Sequence, residues 1–228
     1  MKDVKEDLEQ IGCVYQGHFV GTSGKHLSGY FNIDPVMSHT YAINEFAKIM
    51  VKPFKKDDVQ TVVAPATGAI PFAHLGALHL IKMTNNPVQA VWADKTKVNG
   101  DKAFVFERTG FKEAVTGKNV LILEDMINQM FSVKKVIELV NQTGGNIVGV
   151  ASVASNSSVS AEAMGVAKYH RLALIEYDAW TPDECVKKGL CSKNVPIVTD
   201  IGHGDEFELA HQDYPGGYVT LAEQKNSQ

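Results

Sequence analysis

The sequence predicts an α/β domain in which a parallel central sheet is flanked by helices and carries a small N-terminal hood. Three observations support this. Apolar runs of strand length recur at 61–64, 88–92, 120–123, 147–153 and 171–176. Helix-patterned stretches lie between most of them, and strands alternating with helices imply parallel neighbours joined by right-handed crossovers. The chain's 228 residues suffice for one such domain with a substantial core, or for one domain plus a hood.

Taken in order, residues 2–11 form a short charged helix with Leu8 and Ile11 turned inward. In 17–34, GHFVGTSGKHLSGYFNID, glycines interrupt any period, so the stretch is a turn and ribbon. It resembles a P-loop only in spacing. Phe19 stands where glycine is needed, Lys25 is followed by His26 instead of Ser or Thr, and no buried strand precedes it. Residues 39–51 place Ala42, Ile43, Phe46, Ile49 and Met50 on one helical face. A βαβ succession begins at Val59: strand 61–64, the turn Pro65-Ala66-Thr67-Gly68, helix 69–82 and strand 88–92. A polar loop over 93–102 leads to a strand pair around 103–106 and Phe111.

Residues 119–140, NVLILEDMINQMFSVKKVIELV, hold the centre of the pattern. The apolar run 120–123 stops at Glu124-Asp125, and Val133, Val136, Ile137 and Val140 then fall at i, i+3, i+4 and i+7. This is a buried strand, an acidic pair, a loop and an amphipathic helix. Strands 147–153 and 171–176 follow, with a short helix over 160–164 between them. A helix at 182–188 leads to an irregular segment from about 200 to 228, loose beyond Gly216. The expectation is one domain over 1–228, its hood drawn from about 1–40.

Composition removes several function classes. Lys and Arg total 22 against 26 Asp and Glu, so no basic excess suggests a nucleic-acid surface. No apolar run approaches the ~18 residues of a membrane span. The start MKDVKEDLEQIG is too polar for a signal peptide, so a cytoplasmic protein is expected. Three cysteines, Cys13, Cys185 and Cys191, are an odd, sparse set suited to a reducing compartment. The spacing between Cys185 and Cys191 is wider than a usual zinc knuckle and no second pair exists, so both are read as structural thiols. His203, Asp205 and His211 are read as scattered surface groups, and His74 and His79 as helix residues at the solvent boundary.

Three features can carry chemistry. In open α/β sheets ligands bind beyond the carboxyl ends of strands, where Glu124 and Asp125 lie. Carboxylates there can accept sugar hydroxyls or hold a hydrated Mg²⁺ through water, or can simply flank a helix start. The turn Pro65-Ala66-Thr67-Gly68 can cradle a pyrophosphate with its N–H groups and the Thr67 hydroxyl, or be a plain connection. Lys25, Lys95, Lys97, Lys102 and Arg108 are solvated individually but together could meet a polyanion.

In combination these segments resemble the orotate phosphoribosyltransferases, members of the type I phosphoribosyltransferase fold, over roughly residues 5–200. The stretch 17–31 resembles that family's N-terminal signature, VVAPATGAIPFA (62–73) its pyrophosphate loop, and FERTGF (106–111) the segment before the central strand. VLILED is similar to the start of its PRPP-binding motif, PRPP being phosphoribosyl pyrophosphate. Pro182-Asp183-Glu184-Cys185 and Val195-Pro196-Ile197-Val198 resemble its C-terminal segment. The resemblance implies a homodimer that takes PRPP, with Mg²⁺ on its pyrophosphate, and orotate as substrates. It places Glu124 and Asp125 on the ribose hydroxyls, and Ala66, Thr67 and Gly68 on the pyrophosphate. Lys95, Lys97 and Lys102 fall in the family's mobile catalytic loop, here short and without its histidine. Lys25 would approach base and pyrophosphate, and Phe31 would border the base.

Two stretches depart from the family pattern. After the acidic pair the family runs Val-x-Thr-Thr-Gly-Gly-Ser, whereas this chain has Met126 to Ser132 as MINQMFS. Asn128, Gln129 and Ser132 remain as donors to the 5′-phosphate, while Met130 and Phe131 bring bulk and, at glycine-type backbone angles, strain. Where the family carries Asp-Arg for the orotate carboxylate, this chain has Ala154-Ser155-Asn156-Ser157, leaving Asn156 to meet the base. The expected activity is orotate phosphoribosyl transfer. The departures keep open a related transferase with another base or donor, and a non-catalytic binding or regulatory member of the fold.

Overall fold

The computed structural model describes residues 3–21, 23–98 and 100–226. The chain divides into two compact units: Met1–Ile11 with Ile33–Ile175, and Gly12–Asn32 with Glu176–Gln228. The second unit therefore takes only part of the stretch expected to form a hood and completes itself with the end of the chain.

The first unit opens with α1 (Val4–Ile11), on which Val4 and Leu8 are buried and Ile11 is half-buried. The chain then supplies β1 (Val14–Val20) and β2 (His26–Phe31), an antiparallel pair of the second unit. It returns with α2 (Asp34–Met37) and α3 (Thr40–Val51), whose inward face is Ile43, Phe46, Ala47, Met50 and Val51. Next come β3 (Thr61–Pro65), buried throughout, and α4 (Ile70–Thr84), with Pro71 in its first turn and Asn85 in the left-handed conformation at its end. After β4 (Gln89–Val98), β5 (Asp101–Val105) and α5 (Phe111–Val115) come β6 (Asn119–Ile127) and α6 (Phe131–Gln142). The unit closes with β7 (Asn146–Ser155), α7 (Ala161–Met164, capped by Ser160) and β8 (Tyr169–Leu174).

Its sheet runs β5-β4-β3-β6-β7-β8. All neighbouring pairs are parallel except β4 with the edge strand β5. A central parallel strand is covered on both faces, which is why Val120, Leu121, Ile122 and Leu123 form one unbroken apolar run with no exposure. The α6 stripe Val133, Val136, Ile137 and Val140 packs on one face with Val63, Ile122 and Val150. The strand order matters for function. From β3 the chain moves outward to β4 and β5, then crosses back to lay β6 on the other side of β3. A reversal of this kind opens a crevice at the carboxyl ends of the two adjoining strands.

Three expectations change. The polar stretch 93–102 is not a loop but the tip of a hairpin, with Asp94 opposite Val105 and Lys97 opposite Lys102. A solvated ribbon needs no apolar run, so periodicity did not reveal it. Phe111 begins α5 instead of joining a strand pair. The segment beyond 200 holds regular elements of the second unit.

That unit adds β9 (Ala179–Trp180), α8 (Pro182–Lys188), β10 (Ile197–Val198), α9 (Gly204–Ala210), β11 (Tyr218–Val219) and α10 (Leu221–Asn226). Its five strands run β11-β10-β1-β2-β9. A full capping box, Thr181 with Glu184, starts α8. The unit's apolar cluster is small, with Phe19, Leu27 and Val198 at its centre. Among the described residues no helix is long and apolar enough to cross a membrane.

Candidate active site

The crevice between the ends of β3 and β6 collects the turn after β3 and the acidic pair. Ala66 spends its N–H on Ala93 O at 2.9 Å, extending the ladder between β3 and β4. Thr67 O accepts the Ile70 amide at 3.2 Å, which starts α4. The Thr67 and Gly68 amides meet no protein acceptor among the described residues, so they are the open donors of this turn. Asp125 lies directly against it: a Cβ built on Gly68 would stand 2.1 Å from Asp125 Oδ2. A side chain there would have to displace the Asp125 carboxylate, so glycine lets the turn and the carboxylate lie side by side.

The two carboxylates have different environments. Asp125 is half-buried and its Oδ1 accepts the Met126 amide at 2.6 Å. Glu124 is 6% exposed. Its Oε1 accepts the Asp125 amide at 3.3 Å, and Oε2 is buried without a donor. Burial first, then the Asp125 charge, raises Glu124 well above the usual carboxylate range. Protonation converts Oε2 from an orphan acceptor into a donor toward Asp125. A ligand hydroxyl aimed at Oε2 offers the alternative, satisfying the acceptor while the group is ionised.

This has a consequence for stability. The folded chain holds the Glu124 proton at pH values where the unfolded chain has released it, so stability falls as pH rises above about 4.5 toward the folded value. In Glu124→Gln that loss disappears. The variant should match the parent Tm near pH 4.5 and exceed it by about 2–4 °C per kcal/mol relieved at neutral pH. Scanning calorimetry between pH 4.5 and 8 checks this, and a pH-independent Tm difference would contradict it.

Beyond the acidic pair, β6 ends at Ile127 and the chain bends through Asn128 and Gln129 into α6. Met130 takes φ 57, ψ 5, the left-handed region that glycine adopts freely. The glycine-type backbone angle thus survives without glycine, and the Met130 side chain is drawn to the apolar core beneath α6. Phe131, by contrast, is 51% exposed. Because a β-branched side chain tolerates this φ less well than an unbranched one, Met130→Ile should lose about 1–2 kcal/mol at nearly constant volume. Urea denaturation measures it, and an unchanged midpoint would show that the backbone is free to relax.

The N-terminus of α6 has no side-chain cap and no acidic residue in its first turn. Its first intrahelical bond runs from Lys134 N to Met130 O at 3.0 Å, so the preceding amides remain open to an anion. Beside it lies a groove of about 410 Å³ lined by Lys95, Lys97, Lys102, Phe104, Phe131 and Ser132, with Thr96 and Ala103. Lys97 and Lys102 stand opposite each other on the hairpin, a like-charge pairing that costs stability unless an anion lies between them. The three lysines expected to act on the leaving group, and Ser132, are therefore brought together. Phe131 joins Phe104 and Ala103 as the apolar part of the lining.

Other expected residues are placed differently. Asn156 Nδ2 donates to Asn128 O at 3.0 Å and Asn128 Oδ1 at 2.7 Å, while its Oδ1 accepts from Ser158 N at 3.0 Å and Oγ at 2.6 Å. It ties the loop after β6 to the end of β7. Gln129 is exposed. Arg108 sits over the Trp92 ring at 4.8 Å. Sequence reasoning missed Arg171, whose Nη1 donates to Asn156 O at 3.0 Å and Ser155 Oγ at 3.1 Å. The signal was parallel pairing of β8 with β7, invisible before strand order is known. Lys25 and Phe31 belong to the second unit, Lys25 exposed in the turn before β2 and Phe31 closing that strand.

With this geometry in place, comparison with known proteins is informative. Residues 32–181 match the model of the phosphoribosyl transferase domain family. Among curated relatives, the orotate phosphoribosyltransferase of Thermoanaerobacter sp. (strain X514) is 29% identical over 199 residues, covering 86% of this chain and 95% of the relative. That of Thermotoga maritima is 29% identical over 193 residues, covering 85% and 94%. Among solved structures, the orotate phosphoribosyltransferase of Aeropyrum pernix superposes with TM-score 0.58 at 20% identity, covering 74% of this chain and 93% of its own. The Mycobacterium tuberculosis H37Rv enzyme superposes with TM-score 0.57 at 23% identity, covering 75% and 95%. At these identities the structural likenesses establish the fold.

Proposed function

Because this chain belongs to the phosphoribosyl transferase domain family, we propose that it is an orotate phosphoribosyltransferase, moving ribose 5-phosphate from PRPP to orotate and releasing pyrophosphate. The observation that carries this reading is the buried, unpartnered Glu124 Oε2 next to Asp125, whose own carboxylate lies against Gly68 at the reversal of strand order. A sugar bearing two hydroxyls and a pyrophosphate satisfies all of these groups together.

In this reading the ribose hydroxyls donate to Glu124 and Asp125, and the pyrophosphate accepts from Thr67 and Gly68. The 5′-phosphate takes the open amides of α6 with Ser132. The base nitrogen attacks the anomeric carbon as the bond to pyrophosphate breaks, inverting that carbon through a ribosyl-cation-like transition state. Lys95, Lys97 and Lys102 stabilise the charge gathering on the leaving group, and the carboxylates stabilise the sugar. Mg²⁺ fits the donor set: carboxylate oxygens at Asp125 can hold its water shell, and the ion supplies charge neutralisation of the pyrophosphate. For Lys25 and Phe31, a role on the base side rests on the family resemblance alone. A cytoplasmic homodimer completes the proposal, supported by the family resemblance and by the sparse cysteines.

The test is the fall in orotate absorbance with PRPP and Mg²⁺ at millimolar substrate, where turnover is expected and none would remove the reading. One observation favours a second reading: Asn156 is engaged by Asn128 and Ser158, so this position offers no free group to a base carboxylate. A related transferase with another base then follows. Calorimetry with PRPP alone separates both from a silent member of the fold, since either transferase must bind it.

A further inference from the structure

Within the second unit, two pairs of side chains far apart in sequence converge. His18 lies on β1 and His26 begins β2. Cys185 sits in α8, and Cys191 opens the short 3₁₀ turn Cys191–Lys193. All four are buried, and one potential ligand atom from each lies within 4.8 Å of the other three. His18 Nε2 is 2.8 Å from His26 Nδ1 and 3.7 Å and 3.8 Å from the sulfurs of Cys185 and Cys191, while Cys191 Sγ is 3.3 Å from His26 Nδ1. The edges of a tetrahedron around zinc are about 3.3 Å between nitrogens and about 3.6 Å between nitrogen and sulfur, from the usual Zn–N and Zn–S bond lengths.

Tautomers strengthen the case. His18 Nδ1 lies 2.9 Å from Val195 O. A carbonyl only accepts, so Nδ1 carries the proton and Nε2 points a lone pair into the cluster. If His26 donates from Nδ1 to that lone pair, its own Nε2 becomes a buried acceptor, and that atom has no partner among the described residues. If His26 keeps its proton on Nε2, two lone pairs face each other at 2.8 Å, a repulsive arrangement that a cation between them reverses. The surroundings match the outer shell of a metal site: a backbone carbonyl orients one histidine, and the Cys191 amide donates to Cys185 Sγ at 3.2 Å. Gly189 lets the chain fold over Cys185, since a Cβ there would stand 2.9 Å from its sulfur.

We propose that His18, His26, Cys185 and Cys191 form a structural zinc site that clamps the hairpin of β1 and β2 to the segment around α8. Four protein ligands close the coordination sphere, so the ion holds structure and presents no open position to a substrate. A unit built from two short stretches of chain around a small apolar cluster is the kind of scaffold in which a metal replaces missing core.

The experiment uses the full chain. After purification and treatment with a chelating resin to remove loosely held ions, metal analysis should find zinc at one ion per chain. Zinc should fall by more than half in Cys185→Ser and in Cys191→Ser, yet stay unchanged in Cys13→Ser, which removes a buried thiol outside the cluster. Because a ligand variant can fail to fold, the decisive measurement is made on the unmodified chain. Stripped of zinc and supplied with Co²⁺, it should show the intense visible bands of a tetrahedral ion and a near-ultraviolet thiolate-to-cobalt band, both abolished by added Zn²⁺. Failure to retain either ion after desalting, or a weak octahedral spectrum without the thiolate band, overturns the proposal.

Discussion

Asp125→Asn is expected to lower transferase turnover by roughly tenfold to hundredfold while leaving the fold intact. The side chain keeps its size and can still accept from the Met126 amide, so the β6 terminus has no reason to move. What changes is the charge offered to the sugar as it becomes cation-like. A hydrogen bond to a charged group is worth about 1.5–3 kcal/mol, and each ~1.4 kcal/mol is a factor of ten in rate. The effect should fall on kcat more than on KM, because the charge matters most when the sugar is most positive. Steady-state kinetics paired with a melting curve checks both parts. A variant as fast as the parent would mean that the acidic pair serves the strand end and not the reaction.

Gly68→Ala should have the larger effect, at least about a hundredfold. The added Cβ would stand 2.1 Å from Asp125 Oδ2 and 3.2 Å from its Cγ. One or the other must shift by about an ångström, and misplacement on that scale costs on the order of 10²-fold in a preorganised site. The same movement disturbs the two open amides of the turn, so the substitution damages the pyrophosphate and sugar contacts together. Its cause can be isolated. With Asp125→Ala already present the obstructing carboxylate is gone, and adding Gly68→Ala should then cost only a small further factor. Full multiplication of the two effects would show that the turn fails for a reason other than this contact.

Much of this was readable beforehand, for physical reasons that differ by element. The run 120–123 announced a strand because a central parallel strand is apolar on both faces, and the α6 stripe announced a helix because burial recurs every 3.6 residues. The helix at 182–188 carries start signals of its own, Pro182 and an acidic first turn. The β4–β5 hairpin was missed because both faces of its tip are polar, although Asn99-Gly100 is a strong turn signal. The bonds of Asn156 to Asn128 could not be foreseen, because a residue's position after a strand says nothing about which loop it will meet. The His and Cys cluster escaped because its ligands are up to 173 residues apart and its cysteines lack the spacing of a zinc knuckle.

By itself the sequence determined most of the strands and helices, and that Glu124, Asp125 and the turn 65–68 lie toward the carboxyl ends of buried strands, although β6 runs on past the acidic pair to Ile127. These properties depend on near neighbours along the chain, and the periods of burial record them. Only the tertiary structure decided that β6 returns to lie against β3, which sets Asp125 on Gly68, strips Glu124 of solvent and a donor, and aligns three lysines with the start of α6. Strand order and register arise from packing among distant segments, and no local pattern encodes which carboxylate will lose its water.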